Sequence, residues 1–212
     1  MKTFLAVIFA IFSQAYATSE AFSDVIYSNF GPGDSVSNFA YDLGGAEFAD
    51  PFIIPQGNDV ALTAIEVPID DNAAQDSRIV LNVRADARGL PGDILETVSA
   101  DVLFDGACFA GGTFNHSCIQ TIPASGNTIL HPGSAYWLSA TAALAGRVDW
   151  FVNVDALGIA STRTSSAPVW VFNEESTQGV FRLIGTPVPE PSSVTFILTS
   201  IALFAWRLKA RR

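Results

Sequence analysis

Apolar and polar residues alternate along much of the chain with a period of two, which predicts β-strands. The pattern is clearest in Arg78–Ala85. Its apolar residues fall at every second position: Ile79, Leu81, Val83 and Ala85. Arg78, Asn82 and Arg84 would then point to the opposite side. This segment is therefore expected to be a strand with one face in the core and one face toward solvent.

A turn and a second strand are predicted directly after this segment. Residues 86–93 contain Gly89, Pro91 and Gly92. Glycine adopts positive φ without steric cost and proline presets its own φ, so both favour a tight turn. The following run, Ile94–Phe104, is again extended in character. Two such runs joined by turn residues predict a β-hairpin.

The same strand and turn pattern recurs through the body of the chain. It predicts nine further strands: Val25–Phe30, Phe48–Ile54, Val60–Val67, Ile119–Ile122, Thr128–Leu130, Ala135–Ala142, Val148–Val154, Val169–Phe172 and Val180–Ile184. No segment between residues 18 and 186 has the 3.6-residue period and caps of a helix. The prediction is one all-β domain over residues 18–186, an antiparallel β-sandwich with a jelly-roll-like topology.

The first 17 residues have the organisation of a secretory signal peptide. Lys2 supplies the positive charge, Phe4–Phe12 is the apolar core, and Ala15 and Ala17 are the small residues that signal peptidase requires near its cut. A retained membrane anchor is disfavoured because an apolar core of about 9 residues is too short to span a bilayer. We expect a signal helix over residues 1–17 and cleavage after Ala17.

The C-terminus combines an apolar run with a basic end. No charged residue occurs between Ser192 and Arg207, and the run of about 17 residues from Ser192 to Leu208 reaches the lower limit for a membrane-spanning helix. The basic residues that follow favour the cytoplasmic side: Arg207, Lys209, Arg211 and Arg212. A single transmembrane helix is predicted. The alternatives are an ordinary tail anchor and an apolar core helix, which would lack a polar face.

Pro189, Glu190 and Pro191 stand immediately before this run, where the prolines favour an extended, exposed peptide. The order Pro-Glu-Pro, short membrane helix and arginine-rich end resembles the PEP-CTERM sorting signal of Gram-negative bacteria. The resemblance covers residues 187–212. It implies that an exosortase, a membrane protease, cuts at or near Pro189–Pro191 and sorts the protein to the cell surface. Strains that make exopolysaccharide and biofilm often carry such proteins.

The predicted domain is strongly acidic. It keeps six of the chain's 11 Lys and Arg residues and 20 of its 21 Asp and Glu residues, a net charge of −14. Such a surface repels the phosphates of nucleic acids and anionic lipids. A nucleic-acid partner is therefore excluded, and the charge suits a solvated extracellular domain.

Cys108 and Cys118 are the only cysteines of the chain. After export to an oxidising compartment, a pair of cysteines is expected to form a disulfide. The alternative is a metal site in which His116 assists the two thiolates. That site would need a further ligand within sequence reach, and we find none.

Four stretches of the body resemble the choice-of-anchor R extracellular domain: residues 28–35 (Ser-Asn-Phe-Gly-Pro-Gly-Asp-Ser), 89–92 (Gly-Leu-Pro-Gly), 136–138 (Tyr-Trp-Leu) and 180–183 (Val-Phe-Arg-Leu). This family is attached to bacterial surfaces through different anchors, including PEP-CTERM, and the resemblance implies no catalytic residue or ligand. Residues 101–122 depart from the expected pattern, because the cysteines are spread over a longer loop.

Three tryptophans raise the question of a sugar site, because flat aromatic faces stack on sugar rings. The alternation in Ala135–Ala142 places Trp137 opposite the face that holds Tyr136 and Leu138. Trp137 is therefore a candidate for exposure and for sugar contact, with core or edge packing as the alternative. Trp150 shares its face with valines, which indicates the core. Trp170 could also contribute to a sugar-binding face.

Catalytic and metal-binding motifs are absent from the sequence. His116 and His131 stand in no arrangement that fixes a nucleophile or a metal, so we predict no catalytic residue, cofactor or metal ligand. Asp70, Asp71 and Asn72, with Asp76 beyond them, offer oxygen atoms for calcium in a predicted loop. Their spacing does not match an EF-hand, and an acidic solvated turn is the simpler interpretation.

The sequence thus predicts an exported surface or matrix protein that is anchored in the inner membrane as a precursor and then processed. Its sandwich is expected to be non-catalytic and to serve adhesion or exopolysaccharide association. The alternatives are a secreted hydrolase that acts on extracellular polysaccharide and a structural coat component without a ligand.

Overall fold

A computed structural model describes residues 23–71, 77–102, 108–110, 113–114, 118–143, 148–164 and 167–188. The predicted signal helix with Ala15 and Ala17, and the sorting segment with Pro189, Glu190, Pro191 and the predicted transmembrane helix, lie outside the described residues. Within the described part, no helix is long and apolar enough to cross a membrane.

The described chain consists almost wholly of β-strands. In chain order they are β1 (Asp24–Ser28), β2 (Ala40–Asp42), β3 (Ala46–Ile53), β4 (Val60–Asp71), β5 (Arg78–Asp86), β6 (Pro91–Asp101), β7 (Phe109–Ala110), β8 (Thr113–Phe114), β9 (Ile119–Pro123), β10 (Ile129–Leu130), β11 (Ala135–Ala143), β12 (Val148–Thr164), β13 (Ala167–Gly179) and β14 (Arg182–Pro187). A short 3-10 helix occupies Pro32–Asp34. The prediction of an all-β fold is confirmed.

All strand pairs are antiparallel, and the strands form two layers. In the first layer β14 lies between β1 and β4, and β9 and β10 also pair with β4. The second layer has the order β12, β3, β11, β5 and β6, with β13 beside β12. This arrangement is consistent with the predicted β-sandwich.

Strand β12 contributes to both layers because it is unusually long. Its first residues pair with β2 and β4, and its last residues pair with β3. Register shifts between Asn153 and Leu157 and between Thr162 and Thr164 interrupt its ladder with β13. Bulges of this kind bend and twist a strand, which lets a single strand turn from one layer into the other.

One apolar core fills the space between the layers. Strand β5 contributes Ile79, Leu81 and Val83, the face that alternation predicts to be buried. Aromatic rings join the layers: Phe52 of β3 lies 5.6 Å from Phe181 and 5.4 Å from Tyr27, measured between ring centroids. Full burial of each side chain of this size stabilises the fold by roughly 1.5–3 kcal/mol. The core is therefore the main source of stability.

The two ends of the sandwich differ and are named here by their landmarks. The tail pole contains the loop at residues 54–59, the loop at residues 131–134 and the end of β14, because Pro187 pairs with Val60. The disulfide pole contains the turn at residues 44–45, the end of β4 and the start of β12. Cys108 and Cys118 form a disulfide at this pole, compatible with the predicted pair.

Candidate ligand-binding groove

Polar side chains cover the outer face of the second layer. Glu47, Ser139, Arg84 and Arg163 come from β3, β11, β5 and β12, and the strand registers place them on the same side of the sheet. Alternation predicts this side to face solvent, yet Arg84 is only 5% exposed and Ser139 is fully buried. Because these groups satisfy one another's hydrogen bonds, the polar face can be covered.

Glu47 is the centre of this network. Its Oε1 accepts hydrogen bonds from Arg84 Nη2 at 2.9 Å and from Ser139 Oγ at 2.6 Å. Its Oε2 accepts a hydrogen bond from Arg163 Nε at 2.7 Å. Arg84 also donates to Ser139 Oγ at 3.0 Å and to the carbonyl oxygen of Gly92 at 3.1 Å. One carboxylate therefore holds two guanidinium groups in fixed positions.

The environment of Glu47 keeps this carboxylate ionised. Burial alone would raise its pKa, but hydrogen bonds from Ser139 and Arg163 and the nearby charge of Arg84 outweigh burial and lower the pKa. Two guanidinium groups beside one carboxylate leave this network with a net positive charge, within a domain whose predicted net charge is −14. The described network is thus positively charged on an acidic domain.

The indole ring of Trp170 lies against both guanidinium groups. The Cζ atom of Arg163 is 4.6 Å from the ring centroid and that of Arg84 is 5.5 Å from it. These distances are typical of cation–π contacts, which contribute about 0.5–2 kcal/mol each. Trp170 and Glu47 together fix the orientation of Arg163.

A groove of about 340 Å³ opens beside this network. It is lined by the turn before β3, the end of β11 and the tip of the β12–β13 hairpin: Gly45, Ala46, Glu47, Thr141, Ala142, Arg163, Thr164 and Pro168. The side chain of Arg163 remains 32% exposed. Among the described residues, the side chain of Arg163 contacts Glu47 and Trp170. A guanidinium group has five N–H donors, so the donors that Glu47 does not occupy can bind a ligand. Oriented donors beside an apolar proline surface suit a hydroxyl-rich ligand.

Trp137 is buried rather than exposed, in agreement with the alternative of core or edge packing. Its ring is only 2% exposed, and its indole N–H donates a 2.8 Å hydrogen bond to Asp86 Oδ1. Alternation correctly places Trp137 on the opposite face of β11 from Tyr136. That outer face is covered rather than solvated, so Trp137 is buried there as well. Trp137 thus cannot offer a flat face to a sugar in this structure.

The other aromatic predictions have mixed outcomes. Trp150 is fully buried and donates its indole N–H to the carbonyl oxygen of Val180 at 2.8 Å, so its assignment to the core is confirmed. Tyr136 is buried as well and accepts a hydrogen bond from the backbone N–H of His131. Of the tryptophans in the body, Trp170 is the one that retains partial exposure.

The acidic residues considered for calcium lie in a strand rather than in a loop. Asp70 and Asp71 end β4, where Asp70 pairs with Asp149 of β12, and Asp149 also pairs with Asp42 of β2. Asn72 and Asp76 lie outside the described residues. No group of three or more His, Cys, Asp or Glu residues in the described ranges has the geometry to hold a metal ion.

His131 pairs with a carboxylate at the tail pole. Its Nδ1 is 2.9 Å from Asp59 Oδ1, and both side chains are about half exposed. His116 lies outside the described residues.

Two of the stretches that resemble the choice-of-anchor R domain, residues 28–35 and 180–183, contact each other. Asn29 Oδ1 accepts the backbone N–H of Phe181 at 2.7 Å, which ties the first stretch to the last. Arg182 forms ion pairs with Asp34 and Glu66, and its guanidinium lies 4.8 Å from the ring centroid of Phe30. These contacts close the domain by joining its N-terminal and C-terminal strands.

Sequence reasoning missed Glu47 and Arg163, and it named Trp170 only as a possible contributor to a sugar-binding face. The alternation in β3 does contain a clue to this network. Glu47 shares its side of the strand with Ala49 and Pro51, and a side that mixes a charged residue with apolar residues is not typical of a fully solvated face.

No protein-family model matches the chain, and no curated protein matches it.

Proposed function

We propose that this chain is an exported surface or extracellular-matrix protein that an exosortase processes at Pro189–Pro191. The precursor carries a signal helix over residues 1–17 and a transmembrane helix within residues 187–212, and between them lies a non-catalytic, jelly-roll-like sandwich. After processing, the sandwich resides at the cell surface or in the matrix of a Gram-negative bacterium.

The observation that carries this proposal is the position of the last described strand. Strand β14 ends at Pro187, and the backbone N–H of Val188 still donates a 2.8 Å hydrogen bond to the carbonyl oxygen of Asp59. The next residue, Pro189, begins the Pro-Glu-Pro motif. A cut at the motif would therefore leave every described strand intact, which is what a sorting signal requires.

The groove beside Arg163 supports association with exopolysaccharide. Its donors and the nearby Trp170 ring are the groups that bind hydroxyl-rich ligands through hydrogen bonds and stacking. Their fixed positions reduce the entropy lost on binding. The groove lies at the disulfide pole, at the opposite end of β3 from the chain termini, so the anchor would leave it accessible.

Replacement of Pro189, Glu190 and Pro191 by alanine tests the sorting part of the proposal. In a host with an exosortase, the variant should remain uncleaved in the inner membrane while the unaltered protein is processed. Replacement of Ser192 and Ser193 by alanine is the matched control and should be processed normally. Normal processing of the Pro-Glu-Pro variant would refute the assignment.

Binding to the producing strain's own exopolysaccharide tests the second part. The unaltered protein should bind saturably, and Arg163→Ala should weaken that binding at least tenfold, with calcium present or chelated. Arg78→Ala is the matched control, because Arg78 is an exposed arginine paired only with Asp101. Equal loss in both variants, or none in either, would contradict a site at the groove.

A further inference from the structure

Both ends of the described chain meet at the tail pole or close to it. Strand β1 runs antiparallel to β14, with Asp24 opposite Gly185. Ala17, the predicted last residue of the signal peptide, precedes Asp24 by seven residues, and Pro189 directly follows Val188, the last described residue. The two segments that the proposed function assigns to the membrane therefore leave the domain on one side.

The connection between domain and membrane is short. Val194 lies within the charge-free apolar run and follows Val188 by six residues. A fully extended chain covers at most 3.3–3.6 Å per residue, so this connection spans at most about 20 Å. The sandwich is longer than that, because the 11 residues of β6 alone extend about 35 Å. The tail pole must therefore lie nearer to the bilayer than the disulfide pole.

Apolar side chains are exposed where the chain leaves the domain. Ile53 at the end of β3 is 60% exposed, Val25 near the start of β1 is 50% exposed, and Ile129 of β10 is 36% exposed. Val25 also lines an apolar groove of about 410 Å³ with Pro55, Val60 and Pro187 among its other residues. Such side chains gain free energy by entering the boundary between headgroups and acyl chains.

The disulfide pole has the opposite character. Asp42, Asp149 and Asp70 lie side by side on three neighbouring strands at that end. Carboxylates are repelled by anionic lipid headgroups. The tail pole, by contrast, pairs its Asp59 with His131.

We propose that the tail pole is a membrane-contacting surface in the precursor, with Ile53, Val25 and Ile129 at the lipid interface. This inference rests on the proposed function, since the tail supplies the anchor. The disulfide pole then points away from the bilayer. The Arg163 groove lies at that pole, so the length of β3 separates it from the bilayer. From Glu47 to Ile53 that length is about 20 Å. The processing protease would meet its substrate peptide directly beneath the loop at residues 54–59.

Lipid-headgroup quenching tests this orientation on the full chain. The chain is placed in phosphatidylcholine vesicles that contain nitroxide-headgroup lipid, and a fluorophore is attached to one added cysteine without reductant, so that Cys108 and Cys118 stay bonded. Asn58→Cys reports on the tail pole, and Ser99→Cys reports on an exposed position eight residues along β6 from Pro91. Quenching should be several-fold stronger at position 58. Equal quenching, or stronger quenching at position 99, would overturn the proposal.

Matched substitutions test the apolar contact itself. Ile53→Ser should lower quenching at position 58, because the pole loses affinity for the interface. Val169→Ser alters an apolar residue on β13 that is at least as exposed as Ile53, and it should leave quenching unchanged. Equal effects of both substitutions would contradict a specific contact. Efficient cross-linking between two chains at position 58, at low protein-to-lipid ratio, would show that a second copy covers the pole and would overturn the proposal.

Alkaline extraction separates failure of this inference from failure of the proposed function. If the chain stays in the vesicles but quenching is equal at both positions, the orientation is wrong and the tail anchor stands. If alkali releases the chain, the tail does not anchor it, and both the proposed function and the inference built on it are refuted.

Discussion

The backbone N–H of Val188 donates a 2.8 Å hydrogen bond to the carbonyl oxygen of Asp59, one residue before the Pro-Glu-Pro motif. This bond continues the ladder in which Pro187 pairs with Val60. The last described backbone hydrogen bond thus lies directly before the residues that resemble a sorting signal.

Truncation at this boundary should have a sharp effect. A chain of residues 18–188 should have the same free energy of unfolding as a chain of residues 18–193, measured by urea denaturation. A chain that stops at Val180 lacks β14, which lies between β1 and β4, and should show no cooperative unfolding. A loss of more than about 1 kcal/mol in the chain ending at Val188 would mean that the tail belongs to the fold.

Removal of the Glu47 carboxylate should be strongly destabilising. Glu47→Ala leaves Arg84, whose side chain is 6% exposed, without its counter-charge, and a buried pair broken in this way costs about 3–5 kcal/mol. Arg78→Ala breaks an exposed, solvent-screened pair with Asp101 and should cost far less than Glu47→Ala. Urea denaturation of both variants checks the contrast, and similar losses would refute the central role of Glu47.

The buried carboxyl of Asp50 should make stability depend on pH. Asp50 is fully buried, its Oδ2 accepts the N–H of Gly179 at 2.8 Å, and its Oδ1 has no hydrogen-bond partner among the described residues. Burial raises its pKa well above the usual 3.8, and the Gly179 hydrogen bond opposes this only in part. Burial and the Asp50 charge also raise the pKa of Tyr27 to about 12. The folded chain therefore keeps a proton on Asp50 that the unfolded chain releases above about pH 4.

Asp50→Asn isolates this effect. The protonated carboxyl of the unaltered chain contributes stability that is fully present below the usual Asp pKa and is lost as the pH rises through the raised pKa. The asparagine side chain of the variant cannot titrate, and its amide oxygen can still accept the Gly179 N–H. The free energy of unfolding of the variant should therefore improve relative to the unaltered chain as the pH rises from about 4 to about 8. Parallel pH profiles would show that Asp50 does not couple folding to pH.

The disulfide should stabilise the disulfide pole by a moderate amount. Cys108 and Cys118 are ten residues apart, and closing a loop of this length contributes about 2–3 kcal/mol on the chain-entropy model. Replacement of both cysteines by serine should lower the free energy of unfolding by at least that amount. Mass spectrometry after alkylation should show labelled thiols only when reductant is added. Labelling of both cysteines without reductant would contradict the bond.

Much of the fold could be predicted because the strands obey the period of two. Arg78–Ala85 corresponds to β5 and Ala135–Ala142 to β11. A turn separates β5 from β6 as expected, but Pro91 and Gly92 already belong to β6. These segments pack one face on the core, so their side-chain alternation is visible in the sequence. The lengths of β12 and β13 could not be predicted in the same way, because register shifts break their alternation.

The candidate site could not be predicted because alternation reports which side a residue faces and not what covers that side. Alternation correctly assigns Arg84 and Trp137 to the side away from the core. They are nevertheless buried, since Glu47 and Ser139 satisfy the polar groups of that side and allow it to be covered. Glu47 and Arg163 are 116 residues apart, so only the strand pairing of β3 with β12 reveals their contact.

The most direct test of the central claim is the intact mass of the protein recovered from cells that express an exosortase. We expect a single processed chain that begins at Thr18 and ends at or near Pro189–Pro191, with the Cys108–Cys118 disulfide closed. Recovery of a chain that still ends at Arg212 would contradict the claim that this domain is exported and sorted through its C-terminal signal.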